Sequence, residues 1–208
     1  MWLPKGVAPE HKLVVFPRAD DATFGLLSSR MHVTWALRRG STLEDRPVYT
    51  TSACFAPFPF PAGLTPADTA HQRTEALDDG ALIPADLPPA VREHAAAIAR
   101  AAKRLVDLRE VWLNPTEWTD RVPKVVPLGM DHSPYPDRIV AKSGFEKELA
   151  KRTLTNLYNQ RPAWLAQAHD ALDAAVAAAY GWADWSSAMS DDEILRRLLA
   201  LNRGRAGV

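Results

Sequence analysis

One cysteine, Cys54, stands among 208 residues. A single thiol excludes an internal disulfide framework and a cysteine-rich zinc site. Ten glycines are present and no two of them make a G-x-G. The glycine-rich loop that holds a nucleotide-type cofactor after a strand is therefore missing from this sequence. Net charge is also missing: 25 lysines and arginines balance 25 aspartates and glutamates. That balance argues against gripping nucleic acid through overall charge, while leaving local basic clusters free to do so. No apolar run approaches the ~18 residues of a membrane span. The opening stretch MWLPKGVAPEHK has no apolar core of a signal peptide. A cytoplasmic protein is the default expectation.

What is present is an ordinary globular mixture, 47% apolar and 24% charged, with an excess of proline: 17 residues, against a usual share of about 5%. The prolines gather between Pro47 and Pro89 and between Pro115 and Pro136, so both stretches are expected to be irregular.

Local patterns give a mainly α protein with a small α+β N-terminal part and a helical C-terminal bundle. The run KLVVFPR, Lys12 to Arg18, reads as one strand. Asp20-Asp21 offers a helix cap, and Phe24, Leu27, Met31 and Trp35 follow at helical spacing until Gly40. Residues 46–61, RPVYTTSACFAPFPFP, start as a strand and end as an extended Pro-aromatic segment, because proline cannot donate to a ladder. Residues 62–88 read as a linker with weak helical pieces. From Pro89, Val91, Ala95, Ile98, Ala102, Leu105, Leu108 and Trp112 form one stripe of a long helix. Residues 115–142 read as irregular. Further helices are expected at Phe145 to Tyr158, from Pro162 to Gly181, and after the capping box Ser190-Asp-Asp-Glu193. The expected division is 1–62, a linker at 63–88, and a helical domain at 89–208.

Chemistry-bearing motifs are few. The stretch Asn114-Pro115-Thr116-Glu117-Trp118 invites comparison with the Asn-Pro-Pro-aromatic loop that grips an extruded adenine. Such a loop leaves the carboxyl end of a strand; here the preceding residues have helical period. A helix stop accounts for every residue: Asn tolerates the exit conformation and proline cannot continue the helix. The six histidines, His11, His32, His71, His94, His132 and His169, show no metal-ligand spacing. Ser28-Ser29 lacks a nucleophile elbow, and Cys54 reads as structural. No catalytic residue, metal site or cofactor site is assigned. The basic cluster Arg30, Arg38, Arg39 and Arg46, with His32 and Tyr49 close by, suits contacts to phosphates or guanine. A solvated helix face explains the same cluster.

Two stretches carry a resemblance. The first runs from Val15 to Pro61: an aspartate pair Asp20-Asp21, then Phe24-Gly25, Leu27, Ser29-Arg30, His32, Trp35, Tyr49-Thr50 and Phe58-Pro59-Phe60-Pro61. The second runs from Lys147 to Leu201 and includes KELAKRTLTNLYNQRPAWLAQAHDALDAAVAAAYGW and SDDEILRRLLALN. Both resemble the C-terminal portion of the MmeI-like type II restriction–modification adenine-specific DNA methyltransferases: the end of the target-recognition domain and the helical tail. In that family a long helix also runs into an N-P-P-E-W segment, which NPTEW matches. The pattern departs at Arg46-Pro47-Val48-Tyr49, where the family places Arg beside Tyr.

The resemblance implies a site-specific adenine-N6 methyltransferase that uses S-adenosylmethionine and binds double-stranded DNA. The cofactor loop and the catalytic N-P-P-Y are absent from this sequence, so the chain is expected to be a fragment or a subunit acting with an upstream catalytic domain, holding no cofactor and inactive alone. The DNA-side candidates are Arg30, His32, Arg38, Arg39 and Tyr49. Ser29, Arg30 and His32 also fit a structural role, locking their helix onto its sheet. A helical protein–protein interaction module without DNA binding is the competing expectation, supported by zero net charge and apolar helix stripes.

Overall fold

A computed structural model describes residues 13–43, 46–71 and 73–206. The described residues form seven α-helices, one π-helical turn and three two-stranded antiparallel sheets. The chain is therefore mainly α with a small α+β part, as its patterning predicts. It divides into two compact units. One spans Leu105–Ala166; the other combines, within the described chain, residues 13–104 and 167–206. His11 and Lys12 lie outside the described residues.

In the larger unit, α1 (Asp21–Ser28) is capped by Asp20, whose Oδ1 accepts the Thr23 N–H at 2.6 Å. The carboxylate of Asp21 accepts the N–H of Leu82 at 2.8 Å and so ties α1 to a hairpin, β3 (Thr74–Ala76) and β4 (Leu82–Pro84). Gly25 supplies the close approach. A Cβ there would lie 2.6 Å from Ile98 Cγ2 and 3.0 Å from the Ala102 methyl, so only glycine lets this helix meet α3 (Pro89–Leu113). The stripe expected on α3 is present: Ala95, Ile98, Ala102 and Leu105 are all buried.

The single helix expected from Asp21 to Arg39 is two. Ser29, fully buried, turns to an extended conformation and separates α1 from α2 (Arg30–Arg39). Its hydroxyl donates to the Leu26 carbonyl at 2.7 Å, closing α1, and accepts the His32 N–H at 3.4 Å, opening α2. The break changes which side chain faces inward in α1: Leu26 is buried where the uninterrupted spacing selects Leu27. In α2, Met31 and Trp35 are buried as expected, and α7 (Asp191–Ala206) packs against this helix, with its own Ile194 and Leu198 buried. Ser190 caps α7, accepting the Glu193 N–H at 3.2 Å. The reciprocal half of the expected capping box is replaced: the Glu193 carboxylate bonds Arg196 and Arg197, each at 2.7 Å, because charged donors outcompete a backbone amide.

Three other expectations are corrected. Residues 13–19 alternate exposed and half-buried like a strand but join no ladder among the described residues. Side chains hold the segment instead: Phe16 packs on Phe55 at 4.7 Å between ring centroids, and Arg18 donates to the carbonyls of Thr69 and Pro66. Residues 62–88 contain the β3–β4 hairpin rather than helical pieces, with Leu64, Ala81 and Ile83 buried. Residues 115–142 are not wholly irregular. In the smaller unit β5 (Thr119–Val122) pairs with β6 (Arg138–Ala141), Thr119 opposite Ala141.

That unit also contains α4 (Glu146–Leu149) and α5 (Leu154–Gln160), two short helices where one was expected. Thr153 is extended and caps α5, accepting the Asn156 N–H at 3.2 Å. The next helix, α6 (Ala163–Ala179), begins directly after Pro162 and ends before Gly181, whose φ of 73° is the left-handed stop expected there.

Candidate nucleic-acid interface

The sequence candidates cluster on α2 and on the hairpin and Pro-aromatic segment next to it in the chain. Gly40 ends the helix, and the chain enters the hairpin β1 (Ser41–Leu43) and β2 (Arg46–Val48) with Ser41 opposite Val48. Tyr49 comes next, then the π-helical turn Thr51–Phe55 and the Pro-aromatic segment to Pro61.

Arg30, at the first position of α2, is fully engaged. Its guanidinium bonds Asp191 Oδ1 at 2.6 and 3.0 Å, the Met189 carbonyl at 2.8 Å and the Ser187 carbonyl at 3.0 Å. Its backbone N–H donates to the buried carboxylate of Asp173 at 2.7 Å. A carboxylate at a helix N-terminus answers both an orphan donor and the helix dipole. Arg30 thus joins the start of α2 to α6 and to the start of α7.

His32 is 3% exposed. Its Nε2 lies 2.9 Å from the Tyr49 hydroxyl, and Phe58 meets the ring edge-on at 4.5 Å. Burial lowers its pKa to about 4, and Nδ1 has no hydrogen-bond partner among the described residues. Burial, with the neighbouring Cys54, raises the Tyr49 hydroxyl to about 12. Both rings are neutral near pH 7, so neither offers a phosphate a charge. Around them Phe58 and Phe60 stack edge to face at 4.8 Å, and Trp35 meets Phe58 at 6.1 Å. From α7, Asn202 donates to the Pro57 carbonyl and Arg205 to the Phe60 carbonyl at 2.6 Å, which fixes the segment that proline leaves without a ladder. Cys54 is buried with its thiol 3.7 Å from the Ala36 carbonyl, a structural position as expected.

The other end of α2 differs. Arg38 and Arg39 are exposed, and neither forms an ion pair among the described residues. Arg39 lies over the Trp35 ring at 5.8 Å, which leaves its N–H donors open. Arg46 on β2 is exposed as well. The structure therefore sorts the candidates into a bonded group, Arg30, His32 and Tyr49, and an open group, Arg38 and Arg39 with Arg46 beyond the hairpin turn. Asp173 and Asp191, the acids that hold Arg30, escaped sequence reasoning. They stand 143 and 161 residues from Arg30, and no local spacing marks them.

NPTEW is a helix stop. The Asn114 N–H closes α3 on the Glu110 carbonyl at 2.8 Å, and the Trp118 N–H returns to Pro115 at 3.0 Å just before β5. The segment comes after a helix and before a strand, the reverse of the adenine-gripping loop. Among the described residues no group of histidine, cysteine and carboxylate side chains could hold a metal ion, and no helix is long and apolar enough to cross a membrane.

No family model matches the chain, and no curated protein matches it. Among solved structures it is similar to the type IIL restriction–modification enzyme MmeI, determined in complex with DNA, at 21% identity and a TM-score of 0.52. The match covers 92% of this chain and 17% of that one. The relation is a distant one of fold, between this chain and a part of a much longer enzyme.

Proposed function

We propose that the chain is the DNA-holding portion of a site-specific adenine-N6 DNA methyltransferase of the restriction–modification type. It acts with a catalytic portion that supplies the S-adenosylmethionine site. The observation that carries this reading is the fold shared over 92% of the chain with part of an enzyme solved on DNA. The motif stretches Val15 to Pro61 and Lys147 to Leu201 support it. On this reading Arg38 and Arg39 contact phosphates or base edges. Arg30, His32 and Tyr49 act from behind, holding α2 and the Pro-aromatic segment in place. Neither a G-x-G nor an N-P-P-Y occurs in the sequence, which fits a chain without methyl transfer of its own.

The test is a titration of the chain into duplex DNA at several salt concentrations. Binding that weakens steeply with salt is expected. Absence of binding at the lowest salt would overturn the proposal. Incubation with labelled S-adenosylmethionine and DNA is expected to leave the adenine unlabelled.

A second reading, docking on a protein partner, is favoured by one observation. The segment between β5 and β6 exposes Val125, Val126, Leu128 and Met130, and Leu128 is essentially bare. Exposed apolar side chains gathered in one segment suit a protein–protein contact. No duplex binding, together with capture of a catalytic partner protein, would favour this second reading.

A further inference from the structure

The smaller unit contains a further arginine with open donors, in a setting unlike that of α2. Trp112 sits on the last turn of α3, Trp118 just before β5, and Arg152 in the turn between α4 and α5. The Arg152 guanidinium carbon lies 4.4 Å from the Trp112 ring centroid and 4.8 Å from that of Trp118. Trp118 is itself stacked on Phe145, centroids 5.6 Å apart and planes 17° from parallel. Two indoles therefore fix the position of the guanidinium by cation–π contact, at little cost in conformational freedom on binding. Its N–H donors have no hydrogen-bond or ion-pair partner among the described residues. Arg152 lines an open cavity of about 440 Å³ together with Trp112, Trp118, Lys151, Glu148 and Gln160.

We propose that this cavity binds a phosphodiester group of a nucleic-acid strand, with Arg152 as the forked donor and Lys151 as a second cation. Two features select that ligand class. A guanidinium held over two indoles, with no other partner among the described residues, keeps the planar fork of N–H donors that matches phosphate oxygens. Two cations against the one carboxylate of Glu148 leave a net charge of +1 on the lining, which balances a singly charged diester better than a doubly charged monoester. The proposal rests on the DNA reading for the source of the phosphate, and it adds a contact that α2 does not provide.

Two probes separate this site from that reading: a short DNA duplex and dimethyl phosphate. Indole N–H resonances of Trp112 and Trp118, assigned through Trp112→Phe and Trp118→Phe, report occupancy. With the duplex both resonances are expected to shift. Arg152→Gln is expected to raise the dissociation constant about fivefold and to lower the salt slope by about 1, one phosphate contact. Arg152→Lys, which keeps the charge and loses the fork, is expected to fall between; thermal midpoints check that both variants fold. Duplex binding that leaves the two indoles unmoved, with an unchanged salt slope in Arg152→Gln, overturns the site and leaves the DNA reading standing. If the duplex does not bind at all, the DNA reading falls and dimethyl phosphate decides. Indole shifts that Arg152→Gln abolishes uphold the anion site, and unmoved indoles overturn it.

Discussion

The two ends of α2 are nine residues apart and carry the same side chain for opposite purposes. At the N-terminal end Arg30 commits its donors to Asp191 and to two carbonyls before α7, while Asp173 takes its backbone N–H. At the C-terminal end Arg38 and Arg39 stand exposed. Helix polarity explains part of the contrast. Cations at the carboxyl end sit favourably against the dipole without any further partner, whereas a cation at the amino end needs carboxylates to offset it. An arginine cluster is thus not one functional unit. Its members divide by which of them find acids.

The largest effect expected along this helix comes from its buried middle. Trp35 is 1% exposed and packs on Phe58. Trp35→Ala should cost roughly 3–5 kcal/mol in urea unfolding, whereas Leu37→Ala, at a side chain 61% exposed, should stay within about 0.5 kcal/mol. Similar losses for the two would mean that α2 is not anchored through this face.

Next comes a pH effect at the bonded end. The His32 pKa is near 4 in the fold against 6.5 in the unfolded chain. As pH falls the unfolded chain takes up the proton first, so the stability that neutral His32 permits is complete above pH 6.5. It is lost progressively down to about pH 4, by roughly 3 kcal/mol. His32→Asn should remove that part of the pH dependence. An unchanged profile in the variant would show that His32 is solvated and free to face a ligand.

Much of this frame is visible in the sequence, for physical reasons that also explain what is not. The α3 stripe is legible because helical period repeats over 25 residues, longer than chance sustains. The break at Ser29 is illegible to spacing, because Met31 and Trp35 keep the register of Phe24 across it; the serine hydroxyls were the available signal. Residues 13–19 have strand composition and strand alternation, but a ladder needs a partner that composition cannot supply. The hairpins β3–β4 and β5–β6 are ladders of three and four residues, too short for a period to register. At the candidate site the cluster of arginines is plain in the sequence. Its division into bonded and open members is not, since Asp173 and Asp191 come from the far end of the chain.

Smaller effects test the bonded end directly. Arg30→Ala should destabilise by about 1–2 kcal/mol, because the network is only partly buried and its ion pair is screened by solvent. Tyr49→Phe, which removes the hydroxyl beside His32, should cost about 1 kcal/mol. Equal and negligible losses for these two would dissolve the distinction between the ends.

The smallest change in stability should accompany the largest change in DNA behaviour. Arg38→Ala with Arg39→Ala removes two exposed cations that have no ion pair among the described residues, so the change in unfolding free energy should be less than about 0.5 kcal/mol. If both cations meet phosphates, the slope of log affinity against log salt should fall by about 2 in the double variant. Arg30→Ala, provided it is measured where it remains folded, should leave that slope unchanged, because its guanidinium is already neutralised by Asp191. The reverse result, a lower slope for Arg30→Ala and none for the double variant, would place the DNA at the amino end of α2. That outcome requires the Arg30–Asp191 pair to open on binding, exchanging one carboxylate for a phosphate. Exposed Asp191 makes such an exchange physically accessible, which is why the slope rather than the affinity alone is the measurement that decides.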